Sequence, residues 1–367
     1  MFLIDAHLDL ALNALEWNRD LRRPVADIRR SEAGLTDKID RGRNTVALPD
    51  LRRGGVGLVV ATQIARYSPR PEQRPGTALP AASWNSPEQA WATTQAQRAW
   101  YEAMTDAGEM RPITDRHSLR THVAQWLDGS VPNEHKPVGY VLSLEGADSL
   151  VTPAYLERAY AYGLRAVGPA HYGPGRYAPG TGLAGPLTAL GRELLRDMDR
   201  LGMILDVTHL TDEGFAEALA LYRGPVWASH HNCRALVPHQ RQLADEQIRQ
   251  LIERGAVIGG CLDAWMLAPG FTQRQSNPAD FGVTLATLAE HIDHICQLAG
   301  NARHCMLGSD LDGTFGTEQS PTDLDTIADL PRLTDHLTAR GFSADDIDGI
   351  CYKNALRFLE GALPPGE

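Results

Sequence analysis

The sequence predicts an α/β fold, a (β/α)8 TIM barrel, with residues 1–367 forming one barrel domain. Three observations predict it. Eight short runs rich in Val, Ile and Leu recur along the chain: Phe2–Ile4, Gly57–Ile64, Val138–Leu144, Leu164–Gly168, Met203–Val207, Val226–Ala228, Ala256–Cys261 and His304–Gly308. Several are apolar without alternation, which marks strands buried on both faces of a parallel sheet covered by helices. The first run is followed by His7 and Asp9, where a doubly wound sheet usually carries a glycine-rich phosphate turn.

The helices between the runs follow from rhythm and stop signals. Pro186–Leu201 is amphipathic and stops at Gly202. Thr211-Asp212-Glu213 opens Gly214–Leu221, Leu243–Arg254 stops at Gly255, and Val283–Leu298 stops near Gly300. Glycine just past the last turn is the expected terminator, because it accepts left-handed backbone without strain. Residues 345–359 form a closing helix. Two Pro- and Gly-rich stretches, 66–97 and 172–186, break the rhythm. Each leaves the C-terminal end of a strand, so each is expected as a loop over the active face of the barrel.

Composition excludes several functions. The net charge of −11 argues against a nucleic-acid scaffold, because phosphate binding needs a basic surface. Five scattered cysteines without a Cys-x-x-Cys pair indicate neither a disulfide framework nor a zinc knuckle. No run approaches the roughly 20 apolar residues of a membrane span. No basic leader precedes Phe2–Ile4, so a cytoplasmic location is expected, with no membrane partner.

Acidic and histidine side chains gather where the apolar runs end. His7 and Asp9 form a His-x-Asp pair, and alternate residues on a strand point the same way, so both can reach one cation. Glu145 ends the third run; a carboxylate there is costly unless it is paired or bound to metal, and it can bridge two ions, one oxygen each. His209 and His230 end consecutive runs, and neutral imidazole is a common metal ligand. His231 competes with His230 but is expected to point the opposite way. Asp310 ends the last run, placed to take a proton from water and pass it to a leaving group. A helix cap is the alternative role for Asp310, and Asp312 could fill it instead. His171 ends the fourth run, where it donates to a substrate carbonyl or simply lines the pocket. The planar fork of Arg241, in the loop after the sixth run, suits a substrate carboxylate. His291 and His294 mimic a metal pair but fall on an outer helix.

These residues carry a resemblance. Asp5-Ala6-His7-Leu8-Asp9, Leu144-Glu145-Gly146, Leu205-Asp206-Val207-Thr208-His209, Ala228-Ser229-His230 and Gly308-Ser309-Asp310-Leu311-Asp312-Gly313 resemble, in order and spacing, the membrane (renal) dipeptidase family, peptidase family M19 of the amidohydrolase superfamily. The resemblance implies two Zn²⁺ ions, with His7 and Asp9 on the first, His209 and His230 on the second, and Glu145 between them. It implies that His171 contacts the scissile carbonyl, that Arg241 binds the terminal carboxylate, and that Asp310 is the catalytic acid/base. It further implies a dipeptide substrate, with L-Xaa-D-Xaa dipeptides included, and a homodimer. The chain departs from the family pattern at Cys261-Leu262-Asp263, where relatives typically show Asn followed by aromatic residues, and at Gln242, where Asn usually follows the arginine. These changes alter the pocket wall and leave the ligands intact. They motivate an alternative substrate class: a lactone, a cyclic amide or an N-acyl amino acid. A non-catalytic barrel is disfavoured, since every ligand type is present.

Overall fold

The computed structural model describes residues 1–68 and 83–366. Eight parallel strands form a nearly closed barrel: β1 Leu3–Leu8, β2 Val56–Ile64, β3 Val138–Glu145, β4 Leu164–Gly168, β5 Ile204–Asp206, β6 Val226–Trp227, β7 Ile258–Gly260 and β8 Cys305–Leu307. Pairing runs from β1 through β6 in chain order, and from β7 through β8 back to β1. A single parallel bridge, Ala228↔Ile258, joins the remaining edges just past β6. A short outer strand, Met110–Pro112, pairs with β3.

All eight expected runs are strands, with small shifts at their ends. Ile4, Val60, Val141, Ala166, Ile204, Trp227 and Met306 come from seven different strands, yet they share one buried cluster with Trp126 and Leu359. Only the barrel interior brings seven strands together, so this cluster is the plug of side chains inside it. A larger cluster includes Val59, Leu142, Leu205 and Leu307 together with Leu194, Ile248 and Leu288 of the surrounding helices. The strands are therefore covered on both sides, as their unalternated apolar runs require.

Some expected boundaries differ. β1 extends through His7 to Leu8 instead of ending at Ile4, and its register against β2 shifts between Asp5 and Leu8. Asp9 lies past the strand, at the N-cap of helix Leu10–Glu16. The His7/Asp9 pair is thus set by an irregular strand end and a helix start, not by simple strand alternation. In the stretch 66–97 expected as a loop, Arg66–Tyr67 and Ser83–Trp84 pair in parallel and Pro87–Asp106 is a helix. Residues 69–82 of that stretch lie outside the described residues. Ser86 caps the helix by accepting Gln89 N–H, and Pro87 at its first position needs no donor. The closing helix is interrupted: Ala344–Asp348 and Asn354–Ala362 flank a π-helical turn at Gly349–Lys353. Among the described residues, no helix is long and apolar enough to cross a membrane.

Candidate active site and metal centre

The C-terminal ends of the strands open into a cleft lined by Asp9, Glu145, His171, His209, His230, Arg241 and Asp310 among others. His7 lies beneath them, against Glu145 and Asp310. All eight residues singled out in the sequence therefore meet in one place.

Glu145 is the centre of the arrangement. Its Oε1 lies 3.1 Å from His209 Nε2 and 3.4 Å from His230 Nε2. Its Oε2 faces His7 Nε2 at 3.6 Å. The two oxygens therefore serve two different sets of nitrogen atoms. Ligand atoms of Glu145, His209 and His230 lie within 4.8 Å of one another, and so do those of His7, Asp9 and Glu145. A third overlapping group is His7, His230 and Asp310.

Two of these residues sit on unusual backbone. His209 (φ 69°) and Asp310 (φ 59°) are both left-handed, a region that only a few per cent of non-glycine residues adopt. Such strain persists only where the surroundings hold it, and it concentrates at functional sites. Close backbone approach also shapes the site. A Cβ on Gly259 of β7 would lie 1.9 Å from Ser229 O, and one on Gly308 1.8 Å from the same atom. Only glycine lets β7 and β8 crowd against the residue that precedes His230.

Burial sets the charge states. The imidazole of His7 is pushed down to about 3 by burial, and the Arg241 charge adds to that. His171, His209 and His230 are held well below the ordinary histidine range, again chiefly by burial. All four are therefore neutral at physiological pH, the form that ligates metal. Burial raises the carboxyls of Glu145 and Asp310 well above their usual range, and each is raised further by Asp9.

The residues fit divalent cations. His7 Nε2 is buried without a hydrogen-bond partner. His209 and His230 point their Nε2 atoms at each other across 3.2 Å. Two neutral imidazoles cannot both donate there, whereas ligand atoms about 3.3 Å apart are what tetrahedral zinc at roughly 2.05 Å requires. The far side of each ring is supported by a hydroxyl. His209 Nδ1 lies 2.9 Å from Thr181 Oγ1, and His230 Nδ1 lies 2.9 Å from Ser229 Oγ; when Nε2 ligates a cation, Nδ1 carries the proton and the hydroxyl accepts it.

Arg241 is 2% exposed. Its Nη2 donates to His230 O at 2.9 Å, while Nε and Nη1 are buried with no protein partner. The fork geometry of a buried guanidinium with two unpaired nitrogens suits a carboxylate.

The residues that hold this set in place are not evident from the sequence pattern. Asp5 accepts N–H from His7 at 3.1 Å and from Ser309 at 2.9 Å, and Ser309 Oγ also donates to it. Thr62 Oγ1 donates to Leu8 O and to Asp9. Asn13 Nδ2 donates to Asp9 O at 3.1 Å and to Asp312 O at 2.8 Å. The signal for Asp5 was its position inside an otherwise apolar strand, where an unpaired carboxylate would be untenable. Thr62 and Asn13 gave no such signal.

The competing roles resolve as follows. The backbone N–H of His231 donates to Gly259 O at 2.7 Å, and its side chain belongs to none of the ligand groups found among the described residues. No helix follows Asp310 or Asp312 directly, so neither is a helix cap. Asp312 instead accepts N–H from Thr45 and Val46, tying the loop before β2 to the end of β8. His291 accepts Cys233 N–H, and His294 pairs with Asp245, both away from the cleft.

The model of the membrane dipeptidase family (peptidase family M19) matches residues 1–363. An uncharacterised protein from the pqqA 5′ region of Klebsiella pneumoniae is 32% identical over 62% of this chain and 83% of its own length. An uncharacterised dipeptidase of Schizosaccharomyces pombe is 28% identical over 70% of this chain, and the match spans 62% of that protein. Among solved structures, a metallopeptidase from Rhodobacter sphaeroides, liganded with a phosphinate mimic of L-Ala-D-Ala, superposes with a TM-score of 0.77 at 22% identity, covering 99% of each chain. The chain belongs to the membrane dipeptidase family, peptidase family M19, and is a metal-dependent hydrolase of that family.

Proposed function

We propose that this protein is a zinc-dependent dipeptidase that holds two Zn²⁺ ions and cleaves dipeptides with a free C-terminal carboxylate, L-Xaa-D-Xaa dipeptides among them. One observation carries the reading: Glu145 turns one oxygen to His209 and His230 and the other to His7, in a cleft that also presents the unanswered nitrogens of Arg241. In this reading His7, Asp9 and Glu145 hold one ion, and Glu145, His209 and His230 hold the other. The L-Ala-D-Ala mimic held by the Rhodobacter relative supports the substrate class.

The bound ions would supply Lewis acidity, making a water nucleophilic at neutral pH and polarising the scissile carbonyl. The protein's own groups do the rest. Arg241 fixes the substrate carboxylate through Nε and Nη1, which orients the peptide bond over Glu145. His171, whose Nε2 is 3.9 Å from Glu145 Oε1, donates to the carbonyl oxygen as negative charge builds there. Asp310, with Oδ1 3.7 Å from His7 Nε2, takes the proton from water and returns it to the leaving amine. Burial and the nearby Asp9 hold its carboxyl above the ordinary carboxylate range, the direction that favours taking up a proton.

The test is metal analysis combined with a dipeptide panel. Protein stripped by a chelator should lose turnover of L-Ala-D-Ala and regain it with Zn²⁺, at two ions per chain. Full turnover by verified metal-free protein would sink the reading. A cytoplasmic location and a homodimer belong to the same proposal, to be checked by fractionation and light scattering.

A further inference from the structure

The cleft carries one acidic group that the proposed chemistry leaves idle. Among its described lining residues the carboxylates are Asp9, Glu145, Asp263 and Asp310. The first two face the histidines and Asp310 is the proton carrier. Asp263, just past β7, is 5% exposed.

Its position is held from two sides. Asp263 Oδ1 accepts Gln319 Nε2–H at 2.8 Å, and Gln319 Oε1 accepts Arg274 N–H at 3.0 Å, which ties Asp263 to the wall that follows β8. On the other side, the segment carrying Asp263 is bonded to the loop carrying Arg241. Gln242 Nε2 donates to Met266 O at 2.7 Å, and Gln242 Oε1 accepts Asn232 N–H at 3.2 Å. Asn232 Nδ2 donates to Cys261 O at 3.0 Å, and its Oδ1 accepts Cys261 N–H at 3.0 Å. Asn232, Gln242 and Gln319 are all buried. The Arg241 guanidinium and the Asp263 carboxylate are therefore fixed in one frame, and both face the same cleft.

Burial raises Asp263 to about 7, against the opposing pull of Gln319, Trp265 and Arg241. Gln319 already answers Oδ1 and the Arg241 charge also favours the ionised form; a cation that reaches the carboxylate from the cleft favours it further. A dipeptide is a zwitterion: its carboxylate answers Arg241, and its ammonium is the matching cation. We propose that Asp263 is a specificity residue that binds the free α-ammonium of the substrate's N-terminal residue. The contact is a charge-assisted hydrogen bond and makes or breaks no covalent bond. It rests on the dipeptidase reading and deepens it, because it makes the enzyme reject N-acylated substrates by leaving a buried carboxylate unanswered.

The test compares L-Ala-D-Ala with N-acetyl-L-Ala-D-Ala on metal-loaded wild type and on Asp263→Asn. Wild type should favour the free amine by at least about 100-fold in kcat/KM, and Asp263→Asn should lose at least about 30-fold on the free amine, mainly in KM, while changing less than about 3-fold on the N-acetyl compound. Equal losses on both would reveal a purely structural role through Gln319 and overturn the proposal. So would wild type that cleaves the two equally well, or a variant that leaves their ratio unmoved. If Asp263→Asn does not fold, Asp263→Glu keeps the charge and displaces it; an unchanged KM for the free-amine dipeptide in that variant overturns the proposal. Absence of any turnover of dipeptides by the loaded wild type sinks the dipeptidase reading instead, so the two failures are distinguishable.

Discussion

Asp206 Oδ1 accepts the N–H of Ser229 at 3.1 Å and, within its own chain turn, that of Thr208 at 3.0 Å. One buried oxygen thus ties the end of β5 to the end of β6, the two strands that deliver His209 and His230. Asp5 does the same for β1 and β8, binding Ser309 and the backbone of His7. Each of these two strand pairs is stapled by a carboxylate two or three residues before a histidine. Replacing Asp206 by Ala leaves two buried N–H groups unanswered, at about 1–3 kcal/mol each. Asp206→Ala should therefore lower the stability of the metal-free protein by about 2–6 kcal/mol. Metal affinity should fall by roughly 10–100-fold as the histidines lose their alignment. Asp206→Asn, which keeps an acceptor oxygen, should retain most of both. Denaturant titration with a chelator present, paired with a metal competition assay, checks the two effects separately. Indistinguishable Ala and Asn variants would refute the staple.

Arg241 is expected to act in binding. Its unanswered nitrogens are buried, and removing one partner of a buried charge pair costs about 2–5 kcal/mol. Arg241→Met should raise KM for a dipeptide at least about 30-fold, with little change for the corresponding dipeptide amide, which lacks the carboxylate. Arg241→Lys should rescue little, because a point charge cannot reproduce the fork that also holds His230 O. Steady-state kinetics on the acid and amide pair decide it; equal losses on both would move Arg241 from binding to scaffolding.

The legible parts of this molecule were those where chemistry forces a residue type. Parallel strands buried on both faces must be apolar throughout, so all eight were visible, and a His or Asp at their ends stood out against that background. What stayed hidden depends on chain geometry. Thr62, Asn13 and Thr181 are ordinary polar residues until the fold brings them against Asp9, Asp312 and His209. The helix at Pro87–Asp106 was masked because its apolar stripe is weak: Ala90, Thr94, Gln97, Tyr101 and Met104 form its buried face, and two of those are polar. Gln97 is buried because its side chain bonds both backbone groups of Ile64 at the end of β2, an interaction no periodicity encodes.

A pH effect on stability is expected from Asp148. Burial raises its carboxyl from 3.8 to about 6, although it accepts N–H groups from Arg176 and Tyr67. Between these values the folded protein binds the proton and the unfolded chain has released it. Stability from this group is therefore present below about pH 4 and is lost as pH rises through about 6. A shift of about 2 units corresponds to about 3 kcal/mol. Asp148→Asn removes the titration, so the stability of wild type relative to the variant should fall by up to about 3 kcal/mol from pH 4 to pH 7. Urea melts of both proteins across that range would show it, and parallel curves would contradict it.

Thr181 joins the loop after β4 to the metal centre. The same loop begins with His171, and it is folded back on itself: Thr181 N–H donates to His171 O at 2.9 Å and Gly173 N–H to Thr181 O at 3.0 Å. Gly180 is required there, since a Cβ would fall 1.6 Å from His171 O. The hydroxyl of Thr181 then meets His209 Nδ1 at 2.9 Å, holding the tautomer whose Nε2 is free to ligate. Thr181→Val keeps the shape and removes the acceptor, while Thr181→Ser keeps the acceptor. The Val variant should bind metal roughly 10–100-fold more weakly and the Ser variant within a few-fold of wild type. Metal competition against a chromogenic chelator measures this without reference to turnover. Because the loop also carries His171, the Val variant should lose kcat as well, even at saturating metal, if the hydroxyl anchors the loop. A Val variant with full kcat at saturating metal would confine Thr181 to orienting His209 alone.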